Sequence, residues 1–245
     1  MIYYWFFLVV PVCYLIGNIN FARIVARFAK HDDITTKGSG NPGTMNMLRT
    51  YGIGAALLTL VLEIIKAGVP ALICGYIFAE FGIFDLAFFV AGFSVVLGHN
   101  FPVFYKFKGG KGIACAFGMF LFSPLWWLAL VLFVVWSIFL YFVDHAFLAT
   151  LGCIFSLTIA WVCRLAILQP TLWWVAVIIV LVNFAMDLLL HRSNFLRLFK
   201  GTENTTGFKQ KINKLFTKKQ KVEEVDTTPE KEIIIEDDEN ESDKS

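Results

Sequence analysis

The chain has 245 residues, of which 58% are hydrophobic and only 16% are charged, and 26 of them are Phe. A soluble domain of this size could not bury so much apolar surface, so the composition excludes that class and predicts an all-α polytopic membrane protein. The formal net charge of +2 does not describe any one part of the chain, because basic and acidic residues are segregated along it. No nucleic-acid partner is expected.

A membrane-spanning helix needs about 20 apolar residues, and fewer where it packs among neighbours. The candidate spans are residues 2–28, 53–79, 85–99, 113–123, 126–143, 146–168 and 171–191. Ser123-Pro124 favours a break between the fourth and fifth candidates, although 113–142 could also form one long helix. We therefore expect about seven spans, within a range of five to seven.

The distribution of Lys and Arg predicts the orientation in the membrane. Residues 23–49 hold five, 106–111 three and 192–221 nine, whereas the turns near 80–84, 124–125 and 169–170 hold none. Because basic loops stay in the cytoplasm, the N-terminus is predicted to lie outside and the C-terminus inside.

The segment between the first two candidate spans, KGSGNPGTMNMLRTYG (37–52), is rich in glycine and polar residues. Its glycines allow tight turns that present successive backbone N–H groups to an anion. Ser39 and Asn41 add hydrogen-bonding groups, and Arg49 adds a planar guanidinium that suits phosphate. An ordinary interhelical turn whose basic residues only set the topology explains the segment equally well.

A second such segment is GHNFPVFYKFKGGKG, residues 98–112. Lys111 lies among three glycines, so backbone amides and an ammonium can converge on one anion. The segment is not a Walker loop, because Gly112 stands where that loop has a magnesium-binding hydroxyl. His99, at the end of the third candidate span, is either a structural or a catalytic residue.

The third segment, HRSNFLRLFKGTENTTG (191–207), follows the last candidate span. Anchoring at the membrane surface explains its arginines, but not Asn194, nor Glu203 in a region otherwise without negative charge. On the predicted topology all three segments share one membrane face. Together they predict a single site for anionic substrates at the cytoplasmic interface.

Ionisable residues inside membrane spans need partners. Glu63 and Lys66 stand three residues apart on the second span, and we expect them to pair on one helical face. Asp187 precedes His191 by about one helical turn and is a candidate to orient its imidazole. Asp144, near a turn, is expected to be purely structural.

The five cysteines all lie in apolar segments, which favours free thiols that act as small apolar side chains. No Cys/His cluster has the ligand spacing of a metal site, so no metal is expected. Cys115, just beyond the GGKG loop, is a minor candidate for carrying a covalent acyl group.

These features divide the chain into three parts. Residues 1–207 form the predicted membrane domain, and 208–222 form a basic juxtamembrane segment suited to an anionic membrane surface. Residues 223–245 hold eleven acidic residues against two lysines, and are expected to be disordered and solvating.

The three glycine-rich segments resemble, in order and spacing, the signature motifs of the PlsY family, the bacterial membrane glycerol-3-phosphate acyltransferases that use acyl phosphate. The family patterns are GSGNxGATN…R, GHxFPxFxxFxGGKG and HRxNxxRLxxGxE, and the resemblance covers residues 1–207. Met45 departs from the pattern, where the family usually has Thr, although Thr44 precedes it. Asn204-Thr205-Thr206 follows Glu203, where the family commonly has a nearby Lys.

The resemblance implies an enzyme that moves a fatty acyl group from acyl phosphate to the 1-hydroxyl of glycerol 3-phosphate. The products are lysophosphatidate and phosphate, in the first step of phospholipid synthesis. The implied substrate-binding residues are Ser39, Asn41, Thr44, Arg49, Gly109, Gly110, Lys111 and Gly112, and the catalytic candidates are His191, Asn194, Glu203 and His99. The resemblance also implies a multi-pass protein of the bacterial plasma membrane with its site on the cytoplasmic face. A soluble acyl-phosphate-producing enzyme is then a candidate partner, beside membrane lipid.

Acyl phosphate is already activated, so the reaction needs no cofactor. Both substrates are anions, and the cations and loop amides would offset their mutual repulsion. The general base stays open among His99, His191, Glu203 and the substrate's own phosphate.

A transporter of a phosphate ester or another anion is the alternative function. Glu63 and Lys66 in mid-span would then mark its pathway. The sequence shows no evident internal repeat of the kind many transporters have, and its motifs lie on one face only, which favours the enzyme.

Overall fold

The computed structural model describes residues 2–214. The chain divides after Lys209 into two units, and the first contains ten α-helices. These are α1 (Phe6–Gly17), α2 (Phe21–Lys30), α3 (Thr44–Tyr51), α4 (Ile53–Ile77), α5 (Phe84–Asn100), α6 (Ile113–Leu121), α7 (Trp126–Val143), α8 (Ala146–Leu168), α9 (Trp173–Leu190) and α10 (Arg192–Phe199). No strand occurs in residues 2–214, which confirms the all-α prediction. The acidic tail, 223–245, and most of the basic segment lie outside the described residues.

Within residues 2–214, six stretches are long and apolar enough to cross a membrane: Ile2–Lys30, Ile53–Ile77, Phe84–Tyr105, Trp126–Val143, Ala146–Leu168 and Trp173–Leu190. This number falls within the predicted range of five to seven. The predicted fourth span is the short helix α6, whose nine residues extend about 14 Å, roughly half the apolar thickness of a bilayer. The helix α6 and the turn after it connect the loop that follows α5 to the start of α7.

The predicted first span, 2–28, is not one helix. It divides into α1 and α2, which are separated by residues 18–20. The Asn18 side chain donates to the Tyr14 carbonyl over 2.7 Å at the end of α1. The Asn20 side chain caps α2 by accepting from the Arg23 N–H over 2.9 Å. The break predicted at Ser123-Pro124 is confirmed, because α6 ends at Leu121 and α7 begins at Trp126.

Helix α5 forms the centre of the bundle and packs against α1, α4, α6 and α9. Glycines allow its close approach to α1: a Cβ atom on Gly98 would lie 2.0 Å from the Tyr14 carbonyl oxygen, and one on Gly17 2.2 Å from that of Val95. This packing fixes the last turn of α5, from which the GGKG loop departs.

The bundle has two chemically distinct ends. At one end, contacts join the loops around residues 37–52, 98–112, 144–145 and 191–208. At the other, Ile2 and Phe6 pack with Phe78, Ile83 and Leu172 in an apolar cluster. All three glycine-rich segments therefore meet at one end, and Ile2 lies at the opposite end.

Candidate active site

The GGKG loop packs directly on the end of α5. The Gly109 N–H donates to the Asn100 carbonyl and the Gly110 N–H to the His99 carbonyl, each over 3.2 Å. A Cβ atom on Gly109 would lie 2.0 Å from the His99 carbonyl oxygen, and one on Gly110 2.1 Å from the His99 Nε2. Gly112 has φ 79°, in the left-handed region, and precedes α6. The glycines are therefore required for the loop to lie against the helix.

A chain of hydrogen bonds joins this loop to the third segment. The Lys111 ammonium donates to the Asn194 Oδ1 atom. The Asn194 Nδ2 in turn donates to Glu203 Oε1 over 2.8 Å, and Arg197 Nε donates to Glu203 Oε2 over 2.9 Å. Burial lowers the pKa of Lys111 to about 8, assisted by the charges of Arg197 and Arg49 and opposed by Glu203.

The first segment reaches the same cluster through Arg49 on α3. Its Nε donates to the Thr205 carbonyl over 3.1 Å, and its Nη2 to the Asn204 carbonyl over 3.4 Å. A guanidinium has five N–H donors, so these two bonds leave others for an anion. Arg49, Lys111 and Arg197 place three cations around Glu203, an excess of positive charge that suits anionic substrates.

His191 follows the last span and is mostly buried. Its Nδ1 lies 2.8 Å from the carbonyl oxygen of Asp187. A carbonyl can only accept, so Nδ1 carries the proton, and in the neutral ring Nε2 is the acceptor. Burial, together with the nearby Lys111 ammonium, lowers the pKa of His191 to about 4, so the ring is neutral at pH 7.

The Asp187 side chain does not orient His191 as expected. The main-chain carbonyl of Asp187 makes that contact, because it lies one helical turn before the imidazole. The Asp187 side chain accepts instead from Asn183 Nδ2 over 3.3 Å.

Asn46 organises the loop before α3. Its buried side chain accepts from the Ser39 N–H over 3.0 Å and donates to the carbonyls of Ile34 and Lys37 over 3.2 and 2.9 Å. Ser39 and Asn41 lie in this loop, and Thr44 begins α3, the helix that bears Arg49. The described contacts join Arg49 to the cluster, but not Ser39, Asn41 or Thr44.

His99 belongs to a second, fully buried cluster on the inner side of the GGKG loop. Its Nδ1 lies 3.1 Å from Glu63 Oε2 and 3.0 Å from Lys66 Nζ. Glu63 and Lys66 form the expected ion pair, with 2.5 Å between Oε2 and Nζ. The Cys115 thiol donates to Glu63 Oε2 over 3.1 Å. The sequence did not indicate this cluster, because its members come from α4, α5 and α6.

Glu63, His99 and Cys115 bring potential metal ligands within 4.8 Å of one another. The Lys66 ammonium already supplies a cation there, within hydrogen-bonding distance of both Glu63 and His99. We therefore interpret the group as a buried network of polar side chains centred on an ion pair.

Residues 7–201 match the family model described as glycerol-3-phosphate acyltransferase. The chain belongs to this family. A glycerol-3-phosphate acyltransferase of Neisseria gonorrhoeae is 37% identical over 202 residues, which are 82% of this chain and 97% of that protein. That of Shouchella clausii is 35% identical over 199 residues, 80% of this chain and 93% of the relative.

Two solved structures of PlsY (YgiH), an integral membrane glycerol 3-phosphate acyltransferase, share the fold of the present chain. The glycerol 3-phosphate form has a TM-score of 0.69 and 32% identity, over 82% of this chain and 94% of that one. The lysophosphatidic acid form has a TM-score of 0.67 and 31% identity over the same shares. The chain is thus an integral membrane protein of the acyltransferase family, as the motifs predicted.

Proposed function

We propose that this protein transfers a fatty acyl group from acyl phosphate to the 1-hydroxyl of glycerol 3-phosphate, releasing lysophosphatidate and phosphate. One observation supports the proposal more strongly than any other. Arg49, Lys111 and the Asn194–Glu203 pair come from three separate motifs and converge at one end of the bundle. Membership in the glycerol-3-phosphate acyltransferase family supports the same reaction.

The two substrates would use different parts of the site. Arg49 would hold the phosphate of glycerol 3-phosphate, assisted by Ser39, Asn41 and Thr44 from the loop and first turn of α3. The amides of Gly109, Gly110 and Gly112 and the Lys111 ammonium would hold the phosphate of the acyl donor, with its chain among the helices. Asn194 and Glu203 would orient Lys111 through the hydrogen bonds described above.

His191 is the best-placed proton acceptor among the candidates. Its Nδ1 is fixed by the Asp187 carbonyl, which leaves Nε2 to accept the proton of the attacking 1-hydroxyl. The hydroxyl oxygen then bonds to the acyl carbon, phosphate leaves with the electron pair of the broken bond, and it takes the proton from His191. Two bound anions would raise the pKa of His191 towards the working pH.

Glu203 and His99 are less suited to accept that proton. Both oxygens of the Glu203 carboxylate already accept hydrogen bonds, from Asn194 and Arg197. His99 is engaged by the Glu63–Lys66 pair at Nδ1 and faces Gly110 at Nε2. The Cys115 thiol is fully buried on Glu63, so a covalent acyl-cysteine step is not part of this proposal.

The ion pair in the second span gives no support to the transporter alternative. Lys66 donates to the carbonyls of Gly17 and Ile19, and Glu63 accepts from the Phe21 N–H. Both charges thus satisfy the backbone at the break between α1 and α2. A transport pathway would require them to be available to a passing ion.

The site is proposed to face the cytoplasm from the bacterial plasma membrane. Arg49, Lys111 and Arg197, one from each basic segment, lie at the end of the bundle that holds the site, and basic loops stay in the cytoplasm. Both proposed substrates could then reach the site from the cytoplasm. A soluble enzyme that makes acyl phosphate could deliver it at this face.

The test is product formation by purified protein in detergent. No compartments exist there, so a transporter would give no signal and only an enzyme would form product. We expect lysophosphatidate and phosphate from glycerol 3-phosphate and acyl phosphate. Little or no turnover is expected with acyl-CoA, because a short loop of glycines around one lysine suits a compact phosphate better than the large nucleotide of coenzyme A. A folded protein that forms no product, or that prefers acyl-CoA, would overturn the proposal.

A further inference from the structure

Asp144 gathers several donors from one short segment of chain. It follows the last residue of α7 as its C-cap, with φ 56°, in the left-handed region. Its carboxylate accepts from the backbone N–H groups of Thr206, Gly207 and Phe208 over 3.1, 3.3 and 3.3 Å. It also accepts from the Thr206 hydroxyl. A single side chain in a two-residue turn thus holds residues 206–208, which are more than 60 positions away in the sequence.

The held segment is continuous with the proposed site. Just before Thr206, the carbonyls of Asn204 and Thr205 accept from Arg49. Glu203, one residue earlier, accepts from Asn194. The position of the 204 and 205 carbonyls, and hence the orientation of the guanidinium, depends on where the segment is fastened.

We propose that Asp144 is a positioning residue for the acyltransfer proposed above, on which this inference rests. It fastens residues 203–208 so that two of their carbonyls hold the Arg49 guanidinium ready for the phosphate of glycerol 3-phosphate. A planar guanidinium binds phosphate well only when its plane is correctly oriented. The contacts that orient the Arg49 guanidinium therefore affect the affinity for glycerol 3-phosphate directly.

The surroundings support Asp144 as the anchor of this segment. Residues 201–206 have no helical structure, and Thr206 is buried, whereas Thr202, Asn204 and Thr205 are exposed. Partial burial would raise the pKa of Asp144, but the Thr206 hydroxyl and the amides of 206–208 outweigh it and keep that pKa below its ordinary value. The anchor is therefore an ionised carboxylate at neutral pH, which accepts stronger hydrogen bonds than a neutral group.

The experiment compares Asp144→Asn with wild type in detergent. Asn keeps the size of the side chain and tolerates the left-handed backbone, but it replaces one acceptor oxygen by a donor and removes the charge. We expect the KM for glycerol 3-phosphate to rise about five- to tenfold, with the KM for acyl phosphate within about twofold. Asp85→Asn is the matched control, because it removes a carboxylate paired with Arg164 over 3.2 Å, away from the site. Both KM values should stay within about twofold in that variant.

A double-mutant cycle separates positioning from a general loss of stability. If Asp144 acts through Arg49, Asp144→Asn should raise the KM for glycerol 3-phosphate little further in an Arg49→Lys background. Equal effects in both backgrounds, or an unchanged KM in folded Asp144→Asn, would overturn the inference. If Asp144→Asn does not fold, Thr206→Val is the substitute, because it removes the hydroxyl that donates to Asp144. A KM for glycerol 3-phosphate within error of wild type in Thr206→Val would also overturn the inference. A wild type without acyltransferase activity would defeat the proposed function itself, whereas active wild type with unaffected variants defeats only the role of Asp144.

Discussion

Glu63 and Lys66 stabilise the two helix ends that meet at the break in the first membrane span. Lys66 donates to the carbonyls of Gly17 and Ile19 over 3.2 and 2.7 Å, at the end of α1. Glu63 accepts from the Phe21 N–H over 2.9 Å, at the start of α2. Each charge is opposite in sign to the helix dipole beside it. The ion pair therefore lets the backbone break inside the bundle without leaving polar groups unsatisfied.

Replacing Lys66 by Met should destabilise the protein strongly. The Glu63 carboxylate would stay buried without its cation, and breaking a buried pair on one side lowers the free energy of unfolding by about 3–5 kcal/mol. The double variant Glu63→Gln/Lys66→Met should recover part of this loss. The measurement is unfolding in detergent by denaturant or heat, with the exposed Lys30→Met as control. A Lys66→Met protein as stable as wild type would show that the pair is not structural.

Gly109→Ala should abolish most of the activity. The added Cβ atom would meet the backbone carbonyls of His99 and Asn100 at 2.0 and 2.7 Å, and neither carbonyl can move without distorting the end of α5. Gly54→Ala is the control, because nothing lies within 4 Å of a Cβ atom there and the position is helical, so stability should rise by about 0.5–1 kcal/mol. The assay is release of phosphate from acyl phosphate and glycerol 3-phosphate. A fully active Gly109→Ala would contradict the described loop geometry.

Six of the seven candidate spans were predictable because length, hydropathy and proline are local properties of the sequence. The break at residues 18–20 was not, because the ion pair that stabilises it, Glu63 and Lys66, lies 42 to 49 positions further along the chain. The apolar run from Ile2 to Ala22 continues across the break, and Asn18 and Asn20 are its local sign in the sequence. These two side chains and the tertiary contacts of α4 together make the break favourable.

The site was predictable as three motifs, but not as a set of contacts. Asn46 stands in the first motif, yet its role as organiser of the loop depends on turns at Ile34 and Lys37 that no local pattern specifies. The sequence places Asp144 near a turn and predicts a purely structural residue, because its partners lie 62 to 64 positions away and no local pattern indicates them. The convergence of Lys111 with Asn194, 83 positions apart, likewise required the fold.

Single cysteines should reveal which end of the bundle faces the cytoplasm. Cysteines placed at Ser39, Lys108 and Thr202 in an otherwise Cys-free variant should resist impermeant thiol reagents in intact cells and react after permeabilisation. A cysteine at Gln169, in the turn between α8 and α9, is the control and should react in intact cells. Labelling of any of the first three in intact cells would contradict a single site on the cytoplasmic face.

The ammonium of Lys111 should determine the alkaline limb of the pH–rate profile. Its pKa is lowered to about 8, first by burial and then by the charges of Arg197 and Arg49. The charged form, which binds phosphate, is the form present below that pKa. The kcat/KM for acyl phosphate should therefore fall as the pH rises through about 8, since this ratio reports the free enzyme. The limb in kcat should lie at higher pH, because bound phosphate stabilises the ammonium.

Two substitutions at Lys111 test this assignment. Lys111→Arg keeps its charge throughout the range, so the alkaline limb should disappear even if the rate is reduced by the different geometry. Lys111→Met keeps the length and apolar bulk but removes the charge, and it should lower kcat/KM about 30- to 1,000-fold, or about 2–4 kcal/mol of transition-state stabilisation. The pH–rate profile of the residual activity of Lys111→Met should show no alkaline limb near the pH at which that of the wild type falls. A limb that persists unchanged in Lys111→Arg would mean that another group titrates there, and a folded Lys111→Met at full rate would mean that the loop does not hold the donor phosphate.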